Sequence, residues 1–222
     1  MNKSHFKFRW NKTLSFSIKN PSHAYKLKNL FRAWNEVLIE YESAWREYKN
    51  LPYIYNEQAE IGLLAIAARD TKGFPFIEFS IQKHGQGKNY GGRADLEIYW
   101  KKKLDWCLGV EAKPANISCS SRRRDKNLVQ TIKVPLEEAQ KCVNTLRSSY
   151  HDRLALVIGK LVHASDDFDR KQLRTDLFSA AWRLKADFCT IHFCEDDIWK
   201  NSDYDNCPGI ALIGKISGKR GV

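Results

Sequence analysis

The chain has 222 residues and a formal charge of +11, from 37 Lys and Arg against 26 Asp and Glu. Hydrophobic residues make up 43% and charged residues 28%, with only 12 Gly and 6 Pro, which excludes a largely disordered chain and suits one domain with elaborations. No apolar run approaches the ~20 residues that span a bilayer, so no membrane partner is expected, while the basic excess favours a polyanion.

The N-terminus MNKSHFKFRWNK is basic but lacks an apolar h-region, so no signal peptide is read and a cytoplasmic, intracellular setting is expected. Residues 1–21 read as a basic, irregular or strand-like arm ending at Pro21. Ser22 then caps a helix to about Asn50, with Leu27, Leu30, Phe31, Trp34, Leu38, Tyr41, Trp45 and Tyr48 on one face. Pro52 stops it. This N-terminal unit, residues 1–51, is a candidate dimerisation element, and residues 52–222 form the main domain.

A second helix follows, capped by Asn56, apolar nearly all round from Ile61 to Ala68, and closed by Gly73. Glu57 and Glu60 lie one turn apart near its start. The period then changes to two. Phe74–Gln82 reads as a strand, HGQGKNYGG as a Gly-rich loop, Ala94–Trp100 as a strand, KKKLD as a turn and Trp106–Ala112 as a third strand. SSRRRDK reads as a loop tip, and Pro135 as the first residue of a helix whose stripe is Leu136, Ala139, Val143 and Leu146. Leu154–Val162 is a strand, Phe168–Leu184 a helix and Phe188–Phe193 a strand, with GIALIGKIS as an edge strand or hairpin. Hairpins precede a crossover, which predicts an α/β fold with a central mixed sheet flanked by helices.

The chemistry concentrates in GGRADLEIYWKKKLDWCLGVEAKP, residues 91–114. The two strands here are joined by a short polar turn and should pair antiparallel. Asp95, at the start of one, then lies near Glu111 and Lys113, at the end of the other. Two converging carboxylates make a hard oxygen site suited to Mg²⁺, with Mn²⁺ as a substitute, and the Ala112 carbonyl offers a further oxygen. Lys113 shares a face with Glu111 and can hold the attacking water or offset charge on a phosphorane. The plain alternative is a hairpin with solvated cross-strand pairs.

With Gly92-Arg93-Ala94-Asp95 followed by Val110-Glu111-Ala112-Lys113, the sequence resembles the PD-(D/E)xK nuclease superfamily, the restriction-endonuclease-like fold. That resemblance covers about half the chain. It implies a core of helix, three strands, helix and strand over Asn56–Val162, and an acidic residue on the first core helix. Glu60 is the best match for that residue and Glu57 the second. Where the family pattern has Pro-Asp, this chain has Ala94-Asp95.

Other features are weighed against ordinary roles. Glu97 shares the strand face of Asp95 and is weighed as a further ligand against an exposed ion-pairing role, which is the plainer reading. The Gly-rich loop lacks P-loop spacing. Lys88, Arg93 and the run Arg122-Arg123-Arg124 are candidate phosphate contacts, each set against a solvated surface role. Gln130 and Gln140 lie near the following helix. The six cysteines form no CxxC pair and read as reduced and mostly buried. The order of residues shows no Ser-His-Asp or Cys-His arrangement. The expected function is a Mg²⁺-dependent DNA endonuclease in restriction, repair or a mobile element. In that reading Asp95 and Glu111 bind metal, Glu60 assists and Lys113 positions water. The rivals are an inactive nucleic-acid-binding protein of the same fold and a basic interaction protein.

Overall fold

The described strands form one eight-stranded sheet in the computed structural model. The structure describes residues 6–9, 14–18, 21–44, 57–85, 88–100, 106–146, 152–162, 164, 168–194 and 207–218. The strands are β1 (Phe6–Arg9), β2 (Leu14–Ile18), β3 (Phe74–Gly85), β4 (Lys88–Trp100), β5 (Trp106–Ser118), β6 (Asp152–Val162), β7 (Phe188–Phe193) and β8 (Gly209–Gly218). The helices are α1 (Pro21–Ala44), α2 (Glu57–Asp70), α3 (Ser121–Asn144) and α4 (Arg170–Arg183). The sheet order is β1-β2-β7-β8-β6-β5-β4-β3.

Among the described strands, only β5 and β6 pair in parallel, with α3 between them as the crossover. Every other neighbouring pair is antiparallel. The α/β class and the mixed sheet therefore stand as read from the sequence. The two strands that carry long apolar runs, β6 and β8, occupy the centre. Leu154–Gly159 and Gly209–Gly214 are buried without a break, as expected of strands covered on both faces. GIALIGKIS is thus a central strand, paired with both β6 and β7, rather than an edge or hairpin. Its nearly continuous apolarity, with no alternation, was the signal for that position.

Several boundaries differ from the sequence reading. The arm before Pro21 supplies a hairpin, β1–β2, and β2 pairs with β7. The expected Gly-rich loop is mostly strand: β3 runs to Gly85 and β4 begins at Lys88, with Gln82 opposite Gly91. Glycine in a two-stranded ribbon costs entropy but forbids nothing. The expected arginine loop tip, residues 122–124, lies in the first turn of α3, where Ser120 stands at the N-cap position. Pro135 is inside that helix rather than first in it. Its missing N–H removes one helical bond, and the long apolar stripe through Ile132, Leu136, Ala139 and Val143, all buried, holds the helix on both sides of it. Asn56, Pro52, KKKLD and the end of the first helix from residue 45 onward lie outside the described residues.

The stripe expected on α1 is real, and it is used within the chain. Leu27, Leu30, Phe31, Trp34 and Leu38 are fully buried. Phe31 meets Phe188 of β7, ring centres 4.8 Å apart. On the same β7 face, His192 Nδ1 lies 2.8 Å from Asn35 Oδ1 and Nε2 lies 2.7 Å from Glu42 Oε1. Strand residues alternate faces, so Phe193 points the other way, where Arg174 of α4 sits over its ring. Helices α1 and α4 thus cover opposite faces of β7. Helix α2 packs beside α1 and against β3 and β4, and α3 covers β5 and β6.

Candidate active site

Helix α2 reaches β4 closely at its C-terminal end. The Gly73 N–H donates to the Ala68 carbonyl at 2.8 Å. A side-chain carbon at Gly73 would fall 2.9 Å from both Ala68 O and Ile98 Cγ2, so only glycine lets the chain turn here. Along the helix, Ile61, Leu63, Leu64, Ala65, Ala67 and Ala68 are buried. This docking presents the first turn of α2, with Glu57 and Glu60, to the start of β4.

On β4, Leu96, Ile98 and Trp100 are buried, while Asp95, Glu97 and Tyr99 face the other side, half exposed. The β4–β5 ladder pairs Trp100 with Trp106 and ends at Leu96 with Val110. One step further, the same register sets Asp95 opposite Glu111. The antiparallel placement inferred from the short turn is therefore the observed one. The Ala112 N–H donates to Asp95 Oδ2 at 2.7 Å. N–H and C=O of one strand residue project to the same edge, so the Ala112 carbonyl also opens toward Asp95. Glu111 is only 3% exposed, and Lys113, two residues on, is half-buried on the same strand face.

A further carboxylate joins this row. In the β3–β4 register, Ile77 pairs with Leu96 and Phe79 with Ala94, which leaves Glu78 opposite Asp95. Glu78 adopts φ 46°, a left-handed conformation uncommon for a residue with a side chain. Gln58 Nε2 of α2 donates to its Oε1 at 2.7 Å. Glu57, Gln58, Ile61, Ile77, Glu78 and Asp95 line one cleft. Glu78 and Gln58 were absent from the sequence reading. The cue for Glu78 was its place in FPFIEFSIQ, an alternating strand whose register with β4 was not yet fixed.

The two α2 carboxylates meet different surroundings. Partial burial pushes the Glu57 pKa up, the Lys113 cation pulls it down, and the carboxylates of Asp95 and Glu111 push it up again. Glu57 thus feels the charges of the whole group. Glu60 is 3% exposed, and neither of its oxygens has a hydrogen-bond partner. Burial alone pushes its pKa up to about 8. Of the two candidates from the sequence, Glu57 lines the cleft and Glu60 lies in the core beneath it.

The remaining candidates are dispersed or lie outside what can be described. The backbone of Lys88 and Arg93 belongs to β4 and that of Arg122, Arg123 and Arg124 to α3, while their side chains lie outside the described residues. Gln130 is exposed on α3 and Gln140 half-buried on it. Glu97 accepts from Cys107 Sγ at 3.0 Å. None of the six cysteines is in a disulfide, and burial pushes the Cys107 and Cys189 thiols up, which suits inert packing rather than nucleophiles. His192 sits on β7, three strands away from β5. Among the described residues, no group of three or more His, Cys, Asp or Glu side chains is placed to hold a metal ion. No helix among them is long and apolar enough to cross a membrane.

No family model, curated protein or solved structure matches this chain. The carboxylate row, its lysine and the cleft are accordingly what bear on function.

Proposed function

We propose that this chain is a metal-dependent nuclease of the PD-(D/E)xK type acting on DNA, with Asp95, Glu111 and Lys113 as its central residues. The single observation that carries the reading is the Ala112 N–H donated to the Asp95 carboxylate, next to the point where the β4–β5 ladder ends at Leu96 and Val110 and one step short of Glu111. A solvated surface hairpin would not bury Glu111, nor would it bring an acidic helix end within electrostatic reach of both carboxylates and the lysine.

The donor set fits a hard divalent cation. Asp95, Glu111 and the Ala112 carbonyl offer oxygen only, and an open site with few protein ligands is what Mg²⁺, or Mn²⁺ in its place, accepts beside phosphate oxygens. The upward push that Asp95 and Glu111 exert on Glu57 marks a concentration of negative charge that a cation would relieve. Bound there, such an ion would polarise the phosphodiester and acidify a coordinated water.

The chain's own residues supply the rest. The Ala112 N–H fixes the rotamer of Asp95 and leaves Oδ1 for the ion. Lys113 orients the attacking water and offsets charge on the reacting phosphate. Glu57, with its pKa raised, is suited to carry a proton at the edge of the cleft. Glu60, first choice from the sequence, serves better as a buried support. The net charge of +11 supports a polyanionic substrate, to which Lys88, Arg93 and Arg122–Arg124 would contribute phosphate contacts.

The test is to incubate the protein with supercoiled plasmid and Mg²⁺, with and without chelator. Nicking or linearisation that chelator abolishes is the expected result. Binding without any cleavage, in Mg²⁺ or Mn²⁺, would replace this reading with that of an inactive nucleic-acid-binding protein.

A further inference from the structure

Glu78 stands at the register position opposite Asp95, between the pairs Ile77–Leu96 and Phe79–Ala94. In a regular strand it would share the face of Asp95. That face points away from α2. Trp100 Nε1 donates to Thr71 Oγ1 at 3.3 Å, just past the end of α2, so the helix lies over the alternate face, that of Ile98 and Trp100. The Glu78 carboxylate nevertheless reaches α2, where its Oε1 accepts from Gln58 Nε2 at 2.7 Å. The left-handed backbone at Glu78, φ 46°, takes this side chain out of the strand alternation. Such a conformation is unfavourable for a residue with a side chain and persists only where its surroundings hold it.

The bond closes on the part of α2 that burial does not anchor. The buried residues of the helix begin at Glu60, while Glu57, Gln58 and Ala59 are half-buried or exposed. Yet this turn carries Glu57, which lines the cleft with Asp95 and feels the charges of Asp95, Glu111 and Lys113. Gln58 is the next residue, so fixing its side chain on β3 fixes the backbone that aims Glu57. An amide donating to a carboxylate makes a charge-assisted bond, stronger than one between neutral groups.

We propose that Gln58 and Glu78 are positioning residues, whose bond clamps the first turn of α2 to the kink in β3 and so holds Glu57 in the cleft it shares with Asp95. The proposal rests on the nuclease reading above and adds how that site is kept in register. Glu78 touches no reacting atom in this scheme. It acts through Gln58 and the backbone of α2, and the strained φ at the kink is what makes the clamp reach.

The experiment compares wild type, Gln58→Ala, Gln58→Glu and the swap Gln58→Glu/Glu78→Gln, which reverses donor and acceptor and keeps the net charge. Plasmid cleavage in Mg²⁺ gives kcat and KM. Gln58→Ala should lose roughly 5- to 10-fold in kcat, and Gln58→Glu, which sets two carboxylates against each other, roughly 10- to 100-fold, each with KM within about 2-fold. The swap should return to within about 3-fold of wild type. Thermal midpoints should stay within about 3 °C, since the bond is exposed. An unchanged kcat in Gln58→Glu overturns the clamp in favour of a surface contact. A loss in Gln58→Glu with Gln58→Ala at the wild-type rate overturns it in favour of a charge effect. A swap as slow as Gln58→Glu overturns it in favour of Glu78 acting on metal or substrate itself. Deuterium uptake by the first two turns of α2, read in chelator, gives a measure that needs no cleavage. Uptake should be roughly 3- to 10-fold faster in Gln58→Ala and Gln58→Glu and return to the wild-type rate in the swap. If wild type cleaves no plasmid, the nuclease reading falls by itself, and the uptake decides the clamp, which equal rates in all four proteins would overturn.

Discussion

Glu57 and Glu60 lie three residues apart on α2, yet one lines the cleft and the other is enclosed without a hydrogen-bond partner. The Glu60 carboxyl, held up to about 8 by burial, binds its proton in the folded state at pH values where the unfolded chain has released it. The folded state therefore holds more protons between the ordinary carboxylate range and pH 8, and stability is lost as pH rises through that window. The loss is on the order of a few kcal/mol. Glu60→Gln should remove it, so thermal midpoints from pH 5 to 9, in chelator, should fall for wild type and stay flatter for the variant. Parallel curves would mean that Glu60 is not protonated in the fold. Glu57 gives a contrasting expectation. Glu57→Gln should cut turnover on the order of 10²-fold, the scale of a lost proton carrier, while Glu60→Gln keeps most of it. Plasmid cleavage rates decide the point, and the reverse ranking would return the role to Glu60.

At the scale of elements, the buried cluster of Asn35, Glu42 and His192 pins α1 to β7 across 150 or more residues of sequence. Glu42→Ala removes a buried hydrogen-bond partner, at a cost of about 1–3 kcal/mol. The thermal midpoint should drop by roughly 5 °C, and an unchanged midpoint would show that the cluster contributes nothing. Nothing local in the sequence announces it, because its members come from opposite ends of the chain. The hairpin site was more legible. Apolar alternation indicates which residues of β4 face the core, and a short turn indicates the antiparallel direction that β4 and β5 adopt, which brings Asp95 to the Ala112 N–H beside Glu111. Glu78 was missed because it joins the row only through the β3–β4 register. The sharpest departures came where local signals gave way to long-range pairing. HGQGKNYGG looked like a loop from its glycines but is held largely as ribbon. Pro135 looked like a helix start but lies within a helix kept by its buried stripe. GIALIGKIS lacked turn partners of its own and took the vacant place between β6 and β7.

Across the whole molecule, the eight-stranded sheet gathers both ends of the chain, since β2 and β8 both pair with β7. The basic excess is spread over this body, and its densest run, Arg122–Arg124, opens α3 directly after the strand that carries Glu111 and Lys113. If all three arginines hold phosphate, replacing them with alanine should reduce the slope of log K against log salt by about 2.7, at ~0.9 per contact on duplex DNA. Binding to two unrelated duplexes in Ca²⁺, over several salt concentrations, tests this. An unchanged slope would make the run an ordinary solvated turn. The central claim concerns the carboxylates themselves, and its most direct measurement compares wild type, Asp95→Ala and Glu111→Ala for plasmid cleavage in Mg²⁺ and for DNA affinity in Ca²⁺. The account predicts that both variants lose cleavage while keeping affinity within a few-fold, since these residues are assigned to the metal and not to the grip on phosphate. Retention of most cleavage by either folded variant would contradict it.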